Sequence, residues 1–355
     1  MIAILAPYNR GEATCAAIRL ANLVVAHGGE VRLVSTTNTE IGVHSYWDQR
    51  VWSGKGDGIY FASRSVQTFI HFQPNATLRE MTELISEKAQ HVLVPQWHHL
   101  KADDAALIPD HHAIVCPSRR GREGVKAVAF NGVEPETVLS WANWDAGIPF
   151  VTREGLVSEG GNPKVLFLAN HTVVDSWGRQ TVGLIDELLG QLPKLTVTLA
   201  CNKSWGDDDK REIRRLKDTF AERFNSVKLQ GWDHLNKELH AHDWTVLPWT
   251  RSDFGITAAR SLSCGAPVIA HDIEPFSEII TNEKNGLLLP CGVKCSPYQA
   301  PTAIPDFDAA LQTMIPAFRD NRMLFRMQSQ DWNLDGLERE FNKFWARLLG
   351  LAEPE

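Results

Sequence analysis

The chain has 355 residues, of which 43% are hydrophobic, and a formal net charge of −7. The length suits two α/β domains, and the acidic balance argues against a general nucleic-acid coat protein, while a local basic groove stays compatible with it. No apolar run approaches the roughly 20 residues of a membrane-spanning helix, and the N-terminal segment has neither the basic start nor the apolar length of a signal peptide. The six cysteines lie scattered beside apolar positions, so we expect buried thiols and a cytoplasmic location.

Residues 1–148 are predicted to form a first α/β domain. Short apolar runs predict strands at residues 2–6, 31–35, 69–72, 91–95 and 112–116. Apolar residues at helical spacing predict helices at 13–26 and 76–89. Strands that alternate with helices in this way favour a parallel sheet with helices on both faces.

Residues 149–330 repeat the alternation and are predicted to form a second domain. The strands are expected at residues 164–169, 195–200, 227–229 and 243–248, and the helices at 178–191 and 207–224. Residues 138–150 fit a linker between the domains. A last helix at 332–349 has one apolar face, and we treat residues 331–355 as a separate C-terminal helix.

The most informative segment covers residues 252–290 and reads SDFGITAARSLSCGAPVIAHDIEPFSEIITNEKNGLLLP. Phe254 and Gly255 form a turn that opens an apolar helix, which stops at residues 264–267. A short buried strand follows at 268–270, and then a second helix and an Asn-Gly turn. A strand, turn and helix in this order direct backbone N–H groups and the positive end of a helix dipole at one point, where phosphate groups bind readily.

This segment resembles the nucleotide-sugar signature of GT-B glycosyltransferases, in particular the GT4-like group, also called glycosyltransferase group 1. The family pattern reads E-G-F-G-x-x-x-x-E-A-x-x-C/A-G-x-P-V-V-A, followed by P-E-I/V and N-G-x-L-V-P. The chain keeps these members of it: Phe254, Gly255, Cys264, Gly265, Pro267, Val268, Glu278, Ile279, Asn285, Gly286, Leu288 and Pro290. The resemblance implies an α/β GT-B fold, in which two Rossmann-like domains face each other across a cleft and the C-terminal helix crosses back onto the first domain.

The same resemblance implies an enzyme that moves a sugar from a nucleotide-sugar to an acceptor hydroxyl, with retention and without an obligatory metal or other cofactor. The two glutamates of the family pattern are replaced here by Ser252 and Arg260, which cannot accept hydrogen bonds as carboxylates do. Asp253, beside the first of these places, is a candidate catalytic substitute. Glu278 is either a ribose ligand or a helix cap.

Backbone amides and basic side chains are the implied ligands of the donor diphosphate. The amides come from the residues that open the signature helix: Phe254, Gly255, Ile256 and Thr257. Asn170 lies where the family has a cation, and nearby residues can supply the charge instead: Lys203, Arg251 and Arg260. We favour the two arginines, since they flank the phosphate turn, although a surface salt bridge accounts equally well for each.

The loop after the first strand holds the first-domain candidates Arg10, Gly11 and Glu12. Gly11 allows the backbone to approach a ligand closely, Arg10 can reach a phosphate, and Glu12 can contact an acceptor hydroxyl; an ordinary βα loop is the alternative. His98 and His99 stand where the family often has a histidine in the cleft, and a solvent-exposed loop is equally compatible. No carboxylate or cysteine is suitably spaced from them for a metal site.

Other functions stay open at this point. The basic stretch at residues 118–126 and tryptophans near predicted loops, such as Trp249, are compatible with transfer to a hydroxymethyl-pyrimidine base of DNA, as in phage enzymes. Ser252, Arg260 and Trp177 stand at family positions that differ in this chain, which is compatible with a nucleotide-sugar-binding protein that lacks catalysis. An epimerase or a sugar phosphorylase of the same fold is a further alternative.

Overall fold

The computed structural model describes residues 1–6, 12–35, 66–72, 89–95, 108, 111–128, 136–137, 162–169, 178–201, 207–252, 254–296, 299–320 and 334–351. The predicted domain boundaries, at 148/149 and 330/331, lie outside these ranges, as does nearly all of the helix predicted at 76–89.

The first domain contains a parallel sheet with the strand order β2-β1-β3-β4-β5-β6. Its strands are β1 (Ile2–Ala6), β2 (Val31–Ser35), β3 (Thr68–His71), β4 (Gln90–Leu93), β5 (Ala113–Cys116) and β6 (Glu136–Thr137). Its described helices are α1 (Glu12–Ala26) and α2 (Arg119–Val128). The predicted strands of this domain are all observed: those at 2–6 and 31–35 have the predicted bounds, and the ends of the other three differ by at most two residues.

The second domain contains another parallel sheet, with the order β12-β11-β10-β7-β8-β9. The strands are β7 (Lys164–Leu168), β8 (Thr196–Cys201), β9 (Phe224–Lys228), β10 (Trp244–Leu247), β11 (Val268–His271) and β12 (Gly286–Leu289). The helices are α3 (Gly178–Gln191), α4 (Asp207–Phe220), α5 (Trp232–Ala241), α6 (Ile256–Ser263) and the single turn α7 (Phe276–Ile279). Both sheets confirm the predicted pair of Rossmann-like domains.

The chain then forms an antiparallel hairpin and two more helices. These elements are β13 (Cys291–Ser296), β14 (Gln299–Pro305), α8 (Phe307–Asp320) and α9 (Leu334–Leu349). The sequence did not predict the hairpin, because Pro301 and Pro305 count against a strand. A two-stranded ribbon has open edges, where the missing N–H of proline is tolerated. None of the helices in the described ranges is long and apolar enough to cross a bilayer.

The helix predicted at residues 207–224 ends earlier than expected. Helix α4 stops at Phe220, a 3₁₀ turn follows, and Phe224 begins β9. Ala221 has a φ of 47°, outside the helical region, and Phe224 is buried and pairs with Val197 of β8. The spacing of the two phenylalanines is helical, but pairing with β8 decides the conformation of the second one.

The C-terminal helix lies on the first domain. Phe341 and Trp345 of α9 are fully buried in the hydrophobic cluster that α1 forms with the first sheet. The guanidinium group of Arg19, on α1, lies 3.8 Å from the centre of the Phe341 ring, a cation–π contact. The two ends of the described chain therefore stabilise one domain together.

Candidate active site

The order of the strands places a crevice at one edge of each sheet. In the first sheet β1 lies between β2 and β3, and in the second sheet β7 lies between β8 and β10. Ligands of open parallel sheets bind beyond the carboxyl ends of the strands at such reversals of strand order. Phe72, just after β3, contacts Phe254, after β10, with 6.2 Å between the ring centres. The two crevices therefore face each other across the contact between the domains.

Trp249 lies across the reversal point of the second sheet. Its indole N–H donates a hydrogen bond of 2.7 Å to the carbonyl oxygen of Leu168, the last residue of β7. Its ring is partly buried and lies 6.2 Å from the ring of Phe276, between centres. This tryptophan, predicted to lie in a loop, therefore lines the edge of the sheet where a ligand is expected.

The predicted phosphate turn precedes α6 in the structure. Gly255 is the residue before the helix and has a φ of 64°, in the left-handed region. A Cβ atom at this position would collide with Ile279 and lie 3.1 Å from Cγ of Pro275. The glycine is therefore needed for the packing of α7 against the turn, as well as for the turn itself.

A carboxylate of the first domain binds this turn. Oε2 of Glu12, the first residue of α1, accepts hydrogen bonds from Oγ of Ser252 at 3.0 Å and from the backbone N–H of Phe254 at 3.3 Å. Oγ of Ser252 in turn accepts the N–H of Gly255 at 3.3 Å. Four of the predicted site residues thus form one hydrogen-bonded group across the domain interface.

The first turn of α6 supplies the remaining predicted amides. The N–H groups of Ile256 and Thr257 belong to the first helical turn, where an α-helix offers them no acceptor of its own. Both side chains are buried, and Ile256 belongs to the hydrophobic cluster of the first domain. The positive end of α6 is therefore directed at the interface of the two domains, where it favours an anion.

The two arginines beside the turn differ in their surroundings. Arg251 precedes Ser252 and is half-buried. Arg260 is only 2% exposed, and it follows Ile256 by four residues, which puts both on one face of α6. A guanidinium group at that depth requires charged or hydrogen-bonding neighbours. The roles of both arginines as diphosphate ligands stay predictions.

Glu278 makes a second polar contact between the domains. Its Oε1 accepts a hydrogen bond of 2.8 Å from the backbone N–H of Arg119, the first residue of α2. Its Oε2 is buried and has no hydrogen-bond partner within the described part of the chain. Burial, followed by the negative charge of Glu274, raises the pKa of Glu278 to about 7, although the Arg119 N–H and side chain act in the opposite direction.

The remaining predicted site residues lie outside the described ranges and stay predictions: Arg10, Gly11, His98, His99, Asn170, Lys203 and Asp253. Among the described residues, no group of three or more His, Cys, Asp or Glu side chains could hold a metal ion.

A cluster of histidines at the strand ends of the first domain includes His71 and His111, which the sequence places at such ends, and also His91. His71 and His91 lie with ring nitrogens 3.2 Å apart, and His111 packs edge-on against His71. Burial, then the nearby His111 and His91, lowers the pKa of His71 well below its ordinary value. The register of β3 and β4 is the signal that could have shown the contact between His71 and His91. Phe69 pairs with His91, and His71 lies two residues after Phe69 on the same face of β3.

Comparisons with known proteins agree with this geometry. Residues 179–296 match the family model of glycosyl transferases group 1. No curated protein matches the sequence.

Solved structures share the fold over almost the whole chain. Sucrose-phosphate synthase from Thermosynechococcus elongatus is 14% identical with a TM-score of 0.68, and 99% of each chain is covered. HepE from Anabaena, in complex with UDP and glucose, is 13% identical with a TM-score of 0.64 and the same 99% coverage of both chains. A glycosyltransferase from Rickettsia africae ESF-5 is 12% identical with a TM-score of 0.68, again with 99% of each chain covered. These similarities, together with the two facing sheets, confirm the predicted GT-B fold, and residues 179–296 of the second domain are similar to glycosyl transferases group 1.

Proposed function

We propose that the chain transfers a sugar from a uridine-diphosphate sugar to an acceptor hydroxyl, and that the diphosphate binds at the first turn of α6. The observation that carries the proposal is the position of this turn at the crevice of the second sheet, opposite Glu12 of the first domain. The complex of HepE with UDP and glucose supports the choice of uridine.

The chemistry requires that the negative charge of the leaving diphosphate is stabilised as the glycosidic bond breaks. The amides of Ile256 and Thr257 and the dipole of α6 offer partial positive charge there. Arg251, which lies between β10 and this turn in the sequence, can add a full positive charge. These groups make a metal ion unnecessary for charge neutralisation, and we therefore propose a metal-independent reaction. Retention of the anomeric configuration is proposed from the family resemblance, and the anomeric proton signal of the product in NMR tests it.

Ser252 and Glu12 replace the usual glutamate at the turn in this proposal. Ser252 stands at the first glutamate position of the family pattern, and its hydroxyl group donates to the carboxylate of Glu12. A carboxylate is thus present at the turn, but it comes from the first domain. This arrangement favours an active enzyme over a protein that only binds the donor.

Calorimetric titration with UDP, with ADP and GDP for comparison, tests the donor site, and UDP release from UDP-glucose tests the chemistry. Ser252→Ala should weaken UDP binding severalfold, because it removes the hydroxyl group that accepts the N–H of Gly255 in the turn before α6. Ser263→Ala is the matched control, since its hydroxyl group donates only to the carbonyl oxygen of Ala259 at the far end of α6. Equal UDP affinity in both variants would contradict the proposed site.

The nucleic-acid alternative gains no support from the described basic helix. Residues 118–126 fall in and just before α2, whose first N–H binds Glu278 of the second domain. The start of this basic stretch is therefore part of the domain contact. A cytoplasmic location is also proposed, because the five cysteines whose side chains the structure describes are free thiols and four of them are buried.

A further inference from the structure

We propose that Glu278 is a latch that holds the two domains closed through its contact with the first turn of α2, and that the closed state is favoured when its carboxyl group is protonated. The two partners, Glu278 and Arg119, are 159 residues apart in the chain and lie in different domains. The significance of closure for sugar transfer depends on the proposed function, but the latch itself does not.

The geometry of the contact favours a neutral carboxyl group. One oxygen of Glu278 accepts the Arg119 N–H at 2.8 Å, while the other is buried with no hydrogen-bond partner in the described ranges. A carboxylate whose second oxygen has lost its water and gained no donor is destabilised relative to the neutral acid. A protonated carboxyl group keeps a carbonyl oxygen that can accept the same N–H.

The charged neighbours act in both directions, and burial decides the outcome. Two charged groups act on the Glu278 carboxyl group among the described residues: Glu274, from the segment before α7, and Arg119, from α2. Glu274 favours the neutral form, whereas the Arg119 N–H and side chain favour the charged form. Burial is the largest influence, and the pKa in the closed state is about 7.

The direction of the pH effect follows from these two states. When the domains separate, water reaches the Glu278 carboxyl group and its pKa returns towards the ordinary value of 4.5. Between these values the closed state holds more protons than the open state. Closure therefore strengthens as the pH falls from above 7 towards 4.5, and it is weakest above 7. Contacts between domains of one chain commonly permit such motion.

A substitution at Arg119 can remove the hydrogen bond to Glu278 without disturbing α2. Oγ of Ser118 accepts the N–H of Gly121 and its carbonyl oxygen accepts the N–H of Arg122, so that Ser118 caps α2 and Arg119 is its first residue. Proline is favoured at the first position of a helix because the N–H there has no acceptor within the helix. Arg119→Pro therefore deletes the donor and keeps the helix. Arg119→Ala is the matched control, because it removes the side chain and keeps the N–H.

Small-angle X-ray scattering at pH 5.5 and pH 8.5, without any ligand, tests the proposal on the whole chain. A compact chain of 355 residues has a radius of gyration of about 20 Å. The wild type and Arg119→Ala should be more compact at pH 5.5 than at pH 8.5. Glu278→Gln, which keeps the acceptor without the charge, should be compact at both, and Arg119→Pro should be extended at both.

Hydrogen exchange of the Arg119 amide provides a second measurement that does not depend on the size of the motion. Because a first-turn amide has no acceptor in its own helix, its protection reports on Glu278. After correction for the intrinsic exchange rate, protection should rise as the pH falls through 7 in the wild type and should not change in Glu278→Gln. A wild-type radius and protection that do not vary with pH, or a Glu278→Gln variant that responds as the wild type does, would overturn the latch. Neither result would contradict the proposed UDP binding or sugar transfer, which are tested by other measurements.

Discussion

Glu12 and Ser252, from different domains, are joined by a hydrogen bond of 3.0 Å between the carboxylate and the hydroxyl group. The same carboxylate oxygen accepts the N–H of Phe254, so a negative charge of the first domain lies beside the positive end of α6. A bound diphosphate must share this region with it or displace it.

Glu12→Gln should therefore strengthen UDP binding. The amide oxygen can keep the hydrogen bonds to Ser252 and Phe254, while the repulsion between carboxylate and diphosphate is removed. A charge near a helix terminus contributes about 0.3–1 kcal/mol, which corresponds to a two- to fivefold lower Kd. Calorimetry with UDP measures the change, and the Kd of Glu12→Ala separates the loss of charge from the loss of the hydrogen bonds. Weaker UDP binding to Glu12→Gln would show that the carboxylate assists the donor.

Gly255→Ala should destabilise the second domain. A Cβ atom there would collide with Ile279, and the φ of 64° disfavours any other residue; left-handed strain alone costs about 1–2 kcal/mol. Gly190→Ala is the matched control, because the new methyl group on α3 would meet nothing within 4 Å. The control should stabilise the domain by about 0.5–1 kcal/mol.

Urea unfolding followed by circular dichroism measures both glycine variants. A Gly255→Ala midpoint at or above that of the wild type would show that α7 can move away from the turn. UDP affinity of the folded variant then tells whether the turn itself has changed.

Ser252→Ala should lower the unfolding midpoint, apart from its effect on UDP. The serine is 7% exposed and its hydroxyl group takes part in two hydrogen bonds, to Glu12 and from Gly255. Leaving such buried groups without partners costs about 1–3 kcal/mol. Thermal unfolding is the measurement, and Ser252→Thr, which keeps a hydroxyl group, should recover part of the loss. Equal midpoints for Ser252→Ala and the wild type would mean that water replaces the serine.

His271 should make the protein less stable in acid. Its side chain is fully buried at the end of β11, and burial lowers its pKa from 6.5 to about 4. Between these values the unfolded chain binds the proton and the folded chain does not, so the free energy of unfolding decreases as the pH falls from 6.5 to 4. The slope for one proton is at most about 1.4 kcal/mol per pH unit.

Urea midpoints at several pH values between 4 and 7 measure this dependence. His271→Gln should show a flatter pH dependence than the wild type. His112→Gln is the control, because that side chain is exposed. Identical pH dependence in wild type and His271→Gln would contradict the assignment to His271.

The sequence predicted features that depend on local chemistry. The turn at Phe254 and Gly255 was predicted because a glycine before an apolar run marks a specific backbone conformation, and the structure has Gly255 in the left-handed region. The strands were predicted from short apolar runs, and the parallel sheets from the alternation of these strands with helices. An apolar run and a turn each depend on a few consecutive residues, and both can therefore be predicted from the sequence.

Contacts between distant residues could not be predicted in the same way. Nothing in the sequence links Glu278 to Arg119 or Glu12 to Ser252, because each pair meets only after both domains have folded and docked. The sequence offered Glu12 as an acceptor ligand and left Glu278 between ribose ligand and helix cap. The structure shows both carboxylates in contacts between the domains, while their roles towards substrates stay predictions.

The most direct measurement is a crystal structure of the protein with UDP. The diphosphate is expected within about 3 Å of the N–H groups of Ile256 and Thr257, with the Glu12 carboxylate shifted away from the N–H of Phe254. A diphosphate bound elsewhere, with Glu12 still on Phe254 and Ser252, would contradict the proposed donor site.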